Sequence, residues 1–362
     1  MIKQRPKIAI ITSSLGGGGA QKSSANLSFV LSKLNYDVHI VSILNQIDYE
    51  FQGQLLNLGE LKDRDNSFIG RVKRFSVFFN YLRSQNFEYI IDSRARPTFF
   101  KQFLINKIVY SNQNIIYIIH SYVLKQYFPS NRFLARWLYN KAKYLLCVSD
   151  DIKQLVVQKF DFKRVKTINN AIPDSSLIAV EDEGQLPEKF IVYFGRIDDK
   201  IKNISLLLEA YELSRLPKHG IKLVILGDGP DVIFLKHKVK DFGLANDVEF
   251  MPYVPNPNPI ISKAIFSTLT SAFEGFGMTL IESLQLGIPV VSVDCKSGPS
   301  EIVIHKTNGL LVENHNPNAL AQAFNEFVEN QTLYNHCRQQ AKRSVKKFSI
   351  EVVAAAWNEI LR

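Results

Sequence analysis

Cysteine is scarce in this 362-residue sequence: Cys147, Cys295 and Cys337 lie far apart, fit no metal-ligand spacing and leave an odd number for pairing. That excludes a disulfide framework and a cysteine-held metal, and it points to a reducing compartment. Long apolar runs are missing too. Nothing approaches the ~20 residues that a membrane-spanning helix requires, so any membrane contact is expected to be peripheral. The apolar run at 8–11, behind Met1 to Pro6, is too short for the core of a signal peptide, and a cytoplasmic protein is the expectation. Two nucleotide-binding fingerprints are also absent. Gly16-x-Gly18 is followed by Gln21 where a dinucleotide-binding loop needs its third glycine, and Gly17-x-Gly19 by Lys22. No Gly-Lys-Ser/Thr follows a P-loop spacer.

Acidic residues are scarce in one half only. Residues 1–176 hold 25 Lys+Arg against 12 Asp+Glu, a net +13, whereas 177–362 hold 19 against 22, a net −3, so the halves are expected to meet different partners. The excess gathers where cations alternate with aromatics. Arg71, Lys73, Arg74 and Arg83 surround Phe75, Phe78, Phe79 and Tyr81, and Arg132, Arg136, Lys141 and Lys143 stand among Tyr127, Phe133, Trp137 and Tyr139. Such a face suits anionic lipid headgroups or a phosphorylated acceptor; it is equally the pattern of a solvated helix face whose aromatics turn to the core. No nucleic-acid motif accompanies the charge, so nucleic acid is not an expected partner.

Length favours two domains. Residues 7–12 are a short apolar run that enters Ser13-Ser14-Leu15 and four glycines, as a buried parallel strand enters a glycine loop. Helical spacing follows over 20–34 and strand character over 38–44. Further strands are expected at 88–91, 115–119, 144–148 and 165–168. Between Asn170 and Glu188 the chain turns polar, with Pro173, Gly184 and Pro187, and the interdomain connection is expected there. A second series follows, with strands at 190–194, 222–226, 248–251, 265–269 and 290–293 and helices over 203–214, 231–242 and 278–286. The alternation predicts an α/β protein of two Rossmann-like, doubly wound domains, 1–176 and 177–348, with a last helix over 349–362 packing back on the first.

The most informative segment runs from Ser271 to Glu282. A strand ends near Thr270, Gly275 and Gly277 make a turn around Phe276, and a helix opens near Met278 with unpaired N–H groups aimed over the loop. Those donors and the positive end of the helix dipole suit a phosphate. Glu274 in the loop and Glu282 one turn inside the helix can border the same pocket, and carboxylates accept hydrogen bonds from sugar hydroxyls.

This Glu-x7-Glu segment, with the turn Gly287-Ile288-Pro289-Val290, resembles the signature of the large retaining glycosyltransferase family of GT-B fold, glycosyltransferase family 4-like. Further matches come in order: Gly16 to Gly19 with Ala20, Gly195-Arg196-Ile197 followed by Lys202-Asn203, Gly227-Asp228-Gly229, and Gly298-Pro299-Ser300-Glu301-Ile302. The resemblance implies two domains facing each other across a cleft that holds a nucleotide-sugar donor. It implies that Arg196 and Lys202 clamp the diphosphate, that Glu282 holds the ribose and Glu274 the transferred sugar, and that Gly16, Gly17 and Gly18 let the backbone approach the donor. Gly195, Gly275, Phe276, Gly277 and Met278 complete the donor site. His120, after the strand at 115–119, resembles the family's histidine beside the reacting sugar, and Asn170 its interdomain asparagine. Lys200 competes with Lys202 for the diphosphate, because one extra residue separates Arg196 from the lysine; Asn203 after Lys202 favours the latter. The proline-rich loop at 252–259 leaves the base undetermined, with UDP the expectation.

The function implied is retaining transfer of a hexose or N-acetylhexosamine to a bacterial envelope glycan or lipid-linked acceptor, in lipopolysaccharide biosynthesis for example. Attachment is expected at the inner face of the inner membrane, through an anionic surface. Cations and a helix N-terminus stand where a divalent ion would otherwise serve, so no metal or other cofactor is expected. Arg94 and Arg96, after the strand at 88–91, are the expected acceptor contacts. A noncatalytic scaffold of the same fold and a nucleotide-sugar epimerase are the alternatives; donor hydrolysis and acceptor-free interconversion would reveal which.

Overall fold

The computed structural model describes residues 5–111, 113–174 and 186–362, so the connection expected between Asn170 and Glu188 falls largely outside the described residues. The chain divides into two compact units, one comprising residues up to Pro173 together with Ile350–Arg362, the other Asp174–Ser349.

In the first unit seven parallel strands lie in the order β3-β2-β1-β4-β5-β6-β7. They are β1 (Lys7–Thr12), β2 (Asp37–Ser42), β3 (Gln54–Asn57), β4 (Tyr89–Asp92), β5 (Ile115–Ile119), β6 (Tyr144–Cys147) and β7 (Val165–Thr167). β1 has a partner on each side, Ile8 pairing with Val38 and with Tyr89, and its residues from Ile8 to Thr12 are all buried. That is why it reads as an unbroken apolar run, not an alternating one. The helix Ile350–Leu361 belongs to this unit and packs on the helix Gly19–Lys33. Its Trp357 is buried, and Tyr89 donates its hydroxyl to Leu361 O at 3.0 Å.

The second unit repeats the design with six parallel strands in the order β10-β9-β8-β11-β12-β13. These are β8 (Phe190–Phe194), β9 (Lys222–Leu226), β10 (Val248–Met251), β11 (Ser267–Leu269), β12 (Val290–Val293) and β13 (Gly309–Val312). One face of its core joins Phe190, Val192 and Phe194 to Val224, Leu226, Ile260, Ile261 and Ile288. β3 and β13 go beyond the expected series. Both are four-residue edge strands with a single neighbour, where pairing is set by the sheet and leaves little pattern in the sequence.

In each sheet the strand order reverses beside the first strand of the unit, at β1/β4 and at β8/β11. Parallel α/β sheets bind ligands outside the carboxyl ends of the strands at such a reversal, because the loops there diverge and leave a crevice.

Candidate active site

In the second unit Gly195 and Arg196 follow β8, and the loop Ser271–Gly277 follows β11, so the motifs flank the reversal. Gly227 is needed by close approach: a Cβ there would lie 2.0 Å from Gly195 O. Ile197 N then donates to Asp228 O at 2.8 Å, which fixes the loop after β8 against the loop after β9. Arg196 projects into solvent, while its carbonyl accepts from the buried Tyr193 hydroxyl at 2.9 Å. Among the described residues its guanidinium makes no hydrogen bond or ion pair.

Downstream, the short helix Asp199–Lys202 is tied to the loop after β11. Ala272 N donates to Ile201 O at 2.9 Å and the Thr270 hydroxyl to Lys202 O at 3.0 Å. This brings Lys202 Nζ to 2.6 Å from Glu274 Oε1, the same oxygen that accepts from the Ser271 hydroxyl at 2.6 Å. Glu274 N donates to Lys296 O at 2.7 Å, and the Ser297 hydroxyl to Gly275 O at 3.1 Å, so the loop after β12 braces the Glu274 loop. Gly298, at φ +104°, permits this: a Cβ there would lie 2.0 Å from Phe276 O. Gly277, at φ +97°, opens the helix Met278–Gln285, whose first turn has no side-chain cap. Phe276 and Met278 are buried beneath the turn, and Glu282 is buried on the helix's second turn. Lys200 is exposed. The geometry therefore brings Lys202, not Lys200, together with Glu274 and Ser271. What results is a cationic, N–H-rich strand-end loop with a fixed carboxylate, suited to an anionic leaving group attached to a polyhydroxyl.

In the first unit the glycine loop follows β1. The Ser14 hydroxyl donates to Gly16 O at 3.1 Å, Leu15 N donates to Gln46 O at 2.9 Å, and Gly17 takes φ +78°. Across the reversal, Ser93 follows β4 and His120 follows β5. Ser93 Oγ is 2.7 Å from both Ser24 Oγ and His120 Nε2. Asn170 accepts from Ser23 at 2.6 Å, and the side chain of Asn26 donates to Ala171 O at 2.7 Å. Ser23 and Ser24 escaped the sequence reading. The signal was a helix that turns Ser23, Ser24, Asn26 and Ser28 to its buried side, polar groups that need partners.

His120 is almost wholly enclosed, and its Nδ1 has no hydrogen-bond partner among the described residues. Burial, and after it the charge of Arg96, pushes the imidazole down to about 3, so it is neutral at physiological pH. In the unfolded chain it returns to about 6.5, so below that pH the unfolded state binds a proton that the folded state refuses. Stability held by the neutral ring is complete above about pH 6.5, falls as the pH drops, and is gone below about 3. Thermal melts on the acid side of neutrality are expected to show a shallower decline of Tm for His120→Asn than for the parent chain. Equal slopes would assign the acid sensitivity elsewhere.

Arg94 and Arg96, the expected acceptor contacts, follow β4 and have internal partners. Arg94 forks onto Asp92, Nε to Oδ1 at 2.9 Å and Nη2 to Oδ2 at 2.6 Å. Burial opposes ionisation of Asp92, but the two arginines outweigh it and hold the carboxyl below its usual range. Arg96 is fully interior: its Nη1 donates to Asp92 O and Arg94 O, its Nη2 to Ile118 O, and its guanidinium lies 4.8 to 5.8 Å from the ring centres of Tyr117, Tyr127 and Tyr139. Both side chains thus have internal partners, which fix the loop that carries Ser93.

Comparison with known proteins adds the family. Residues 17–176 match the model described as Glycosyltransferase Family 4 and residues 180–344 the one described as Glycosyl transferases group 1. The chain is 32% identical, over 94% of its length and 95% of the relative's, to the N-acetylgalactosamine-N,N'-diacetylbacillosaminyl-diphospho-undecaprenol 4-alpha-N-acetylgalactosaminyltransferase of Campylobacter jejuni. Its fold is similar to that of Staphylococcus aureus TarM, solved as a variant with Fondaparinux, alpha-GlcNAc-glycerol and UDP, at a TM-score of 0.78 and 16% identity over 98% of this chain and 100% of that one. It is also similar to Anabaena HepE with UDP and glucose, at a TM-score of 0.75 and 16% identity over 99% of each. With its two parallel-sheet units and both halves matched, the chain belongs to the GT-B glycosyltransferases of the group 1 and family 4 type.

Proposed function

We propose that the chain transfers a hexose or N-acetylhexosamine, with retention at the anomeric carbon, from a UDP-sugar to a lipid-linked or other envelope glycan. The observation that carries this reading is the Lys202–Glu274–Ser271 cluster at the strand reversal, beside the helix at Met278 with no side-chain cap and Arg196, unpaired among the described residues. The acceptor hydroxyl attacks the anomeric carbon on the face from which the diphosphate departs. The bond from that carbon to the β-phosphate oxygen breaks, the new glycosidic bond forms, and the acceptor's proton passes to a phosphate oxygen of the leaving UDP. Arg196, Lys202 and the helix N-terminus offset the charge that grows on the diphosphate. Glu282 takes the ribose hydroxyls, and Glu274 a hydroxyl of the sugar. His120 stays neutral and hydrogen-bonds the sugar near the reacting carbon, and Gly16, Gly17 and Gly18 let the backbone approach the donor.

The Campylobacter relative's diphospho-undecaprenol substrate and the UDP held by both structural neighbours support the donor and acceptor classes. An anionic membrane surface is the proposed partner, at the cytoplasmic face of the inner membrane; no described helix is long and apolar enough to cross a membrane. Calorimetry across a panel of sugar nucleotides tests the donor, and the anomeric configuration of the product tests retention. Because side chains and a helix terminus do the work of a divalent ion, turnover is expected to be unchanged in excess chelator. A strict Mg²⁺ or Mn²⁺ requirement would overturn that part.

A further inference from the structure

The basic-aromatic stretches of the first unit divide when folded. In the helix Arg132–Tyr139, at about 100° per residue, Ala135, Leu138 and Tyr139 fall on the buried side, while Phe133 and Trp137 point outward, 78% and 55% exposed. The helix Phe99–Leu104 and the π-turn Ile105–Val109 lie alongside. Trp137 stacks on Phe103 with ring centres 5.0 Å apart at 16°, and on Phe99 at 6.4 Å and 22°. Phe100 is 74% exposed, and Leu104, Ile108 and Leu134 are exposed as well. Six large apolar side chains on one face are more than scattered surface hydrophobes, and folding gains nothing from leaving them wet.

Charge selects the occupant. From Ser93 to Ser149 the sequence has no Asp or Glu. Lys101, Lys107 and Arg132 stand exposed on the same segments, Lys125 and Lys141 are exposed nearby in the sequence, and Lys107 lies 5.9 Å from the Trp137 ring centre. Asp161 is the nearby acid, within 3.3 to 3.6 Å of Arg136 and Arg132. Aromatics ringed by Lys and Arg fit the headgroup boundary of an anionic bilayer, where rings enter the interface and cations meet phosphates. The face also stands near the candidate site. Phe99 follows Ser93 by six residues, which even fully extended span only about 20 Å.

We infer that this face is a membrane-insertion surface, with Phe100 and Phe133 entering the boundary of an anionic bilayer while the surrounding cations bind its phosphates. The inference rests on the lipid-linked reading of the acceptor, so its test needs a readout independent of transfer. Vesicles of phosphatidylcholine with and without phosphatidylglycerol provide one. The chain has two tryptophans, and Trp357 is buried, so a blue shift on adding vesicles reports Trp137. The full-length chain is expected to co-sediment with anionic vesicles at low salt, to shift its emission, and to be released as salt rises. Phe100→Ser with Phe133→Ser should lower partitioning at least ~10-fold, since each ring forfeits its burial in the interface, whereas Phe100→Trp with Phe133→Trp should retain it. UDP affinity should be the same in all three proteins. Equal partitioning of the serine variant, equal binding to neutral vesicles, absence of binding at low salt, or preference for RNA over vesicles would each overturn the inference. Failure of the parent chain to bind UDP would instead strike the donor assignment and leave the vesicle result standing.

Discussion

Arg196→Ala is expected to lower kcat/KM for the donor by about 10²–10³, the usual cost of removing one preorganised group from a developing charge. Its Tm should stay at the parent value. The guanidinium has no partner among the described residues, and the loop around it is held by backbone, through Tyr193 to Arg196 O and Ile197 N to Asp228 O. Truncation therefore removes charge without loosening the site. Arg196→Lys should recover part of the loss, because a lysine restores the charge but not the planar fork that can hold two phosphate oxygens. Release of UDP against donor concentration, measured beside a thermal melt, separates the outcomes. Near-normal turnover and donor affinity in the alanine variant would mean that Arg196 does not meet the diphosphate.

Glycine loops at strand ends were legible in the sequence because backbone geometry dictates them locally: Gly195, Gly227 and Gly298 stand where a side chain would strike a neighbouring carbonyl or where φ is positive. The buried strands were legible too, since a parallel strand covered on both faces is a short run such as residues 190–194. The internal partners of Arg94 and Arg96 were not legible, because two arginines after a strand look like ligand contacts. Tyr117, Tyr127 and Tyr139, which wall Arg96 in, come from three places further along the chain, and no local pattern links them. The basic-aromatic stretches left open which side meets the core. In the helix Phe68–Ser84 the fold buries Gly70, Phe78 and Leu82 and turns Phe68, Ile69 and Val72 outward, a choice made by the sheet beneath. Nor could spacing pair Ser93 with His120, since what joins them is the adjacency of β4 and β5.

Lys202→Met and Glu274→Gln are each expected to lower kcat by about 10²–10³, and the double variant to lose little more than the worse single. The reason is their contact. Nζ and Oε1 are 2.6 Å apart, with the side chains 24% and 12% exposed, so each charge sits where the other is its main neutraliser. Removing Lys202 takes a cation from the diphosphate and also leaves the Glu274 carboxylate held by Ser271 without a counter-ion, repelling the donor. Glu274→Gln keeps the shape and an acceptor for Ser271, but weakens the hold on the sugar and frees Lys202 to take other positions. Groups that fail together when either is lost give non-additive kinetics, whereas independent groups would multiply to about 10⁴–10⁶ in the double variant. Thermal melts guard against a purely structural pair. If the contact served folding alone, Tm would fall in the single variants while kcat per folded molecule held. Losses in kcat that multiply would show the lysine and the carboxylate acting separately, and the 2.6 Å contact would then be incidental to transfer.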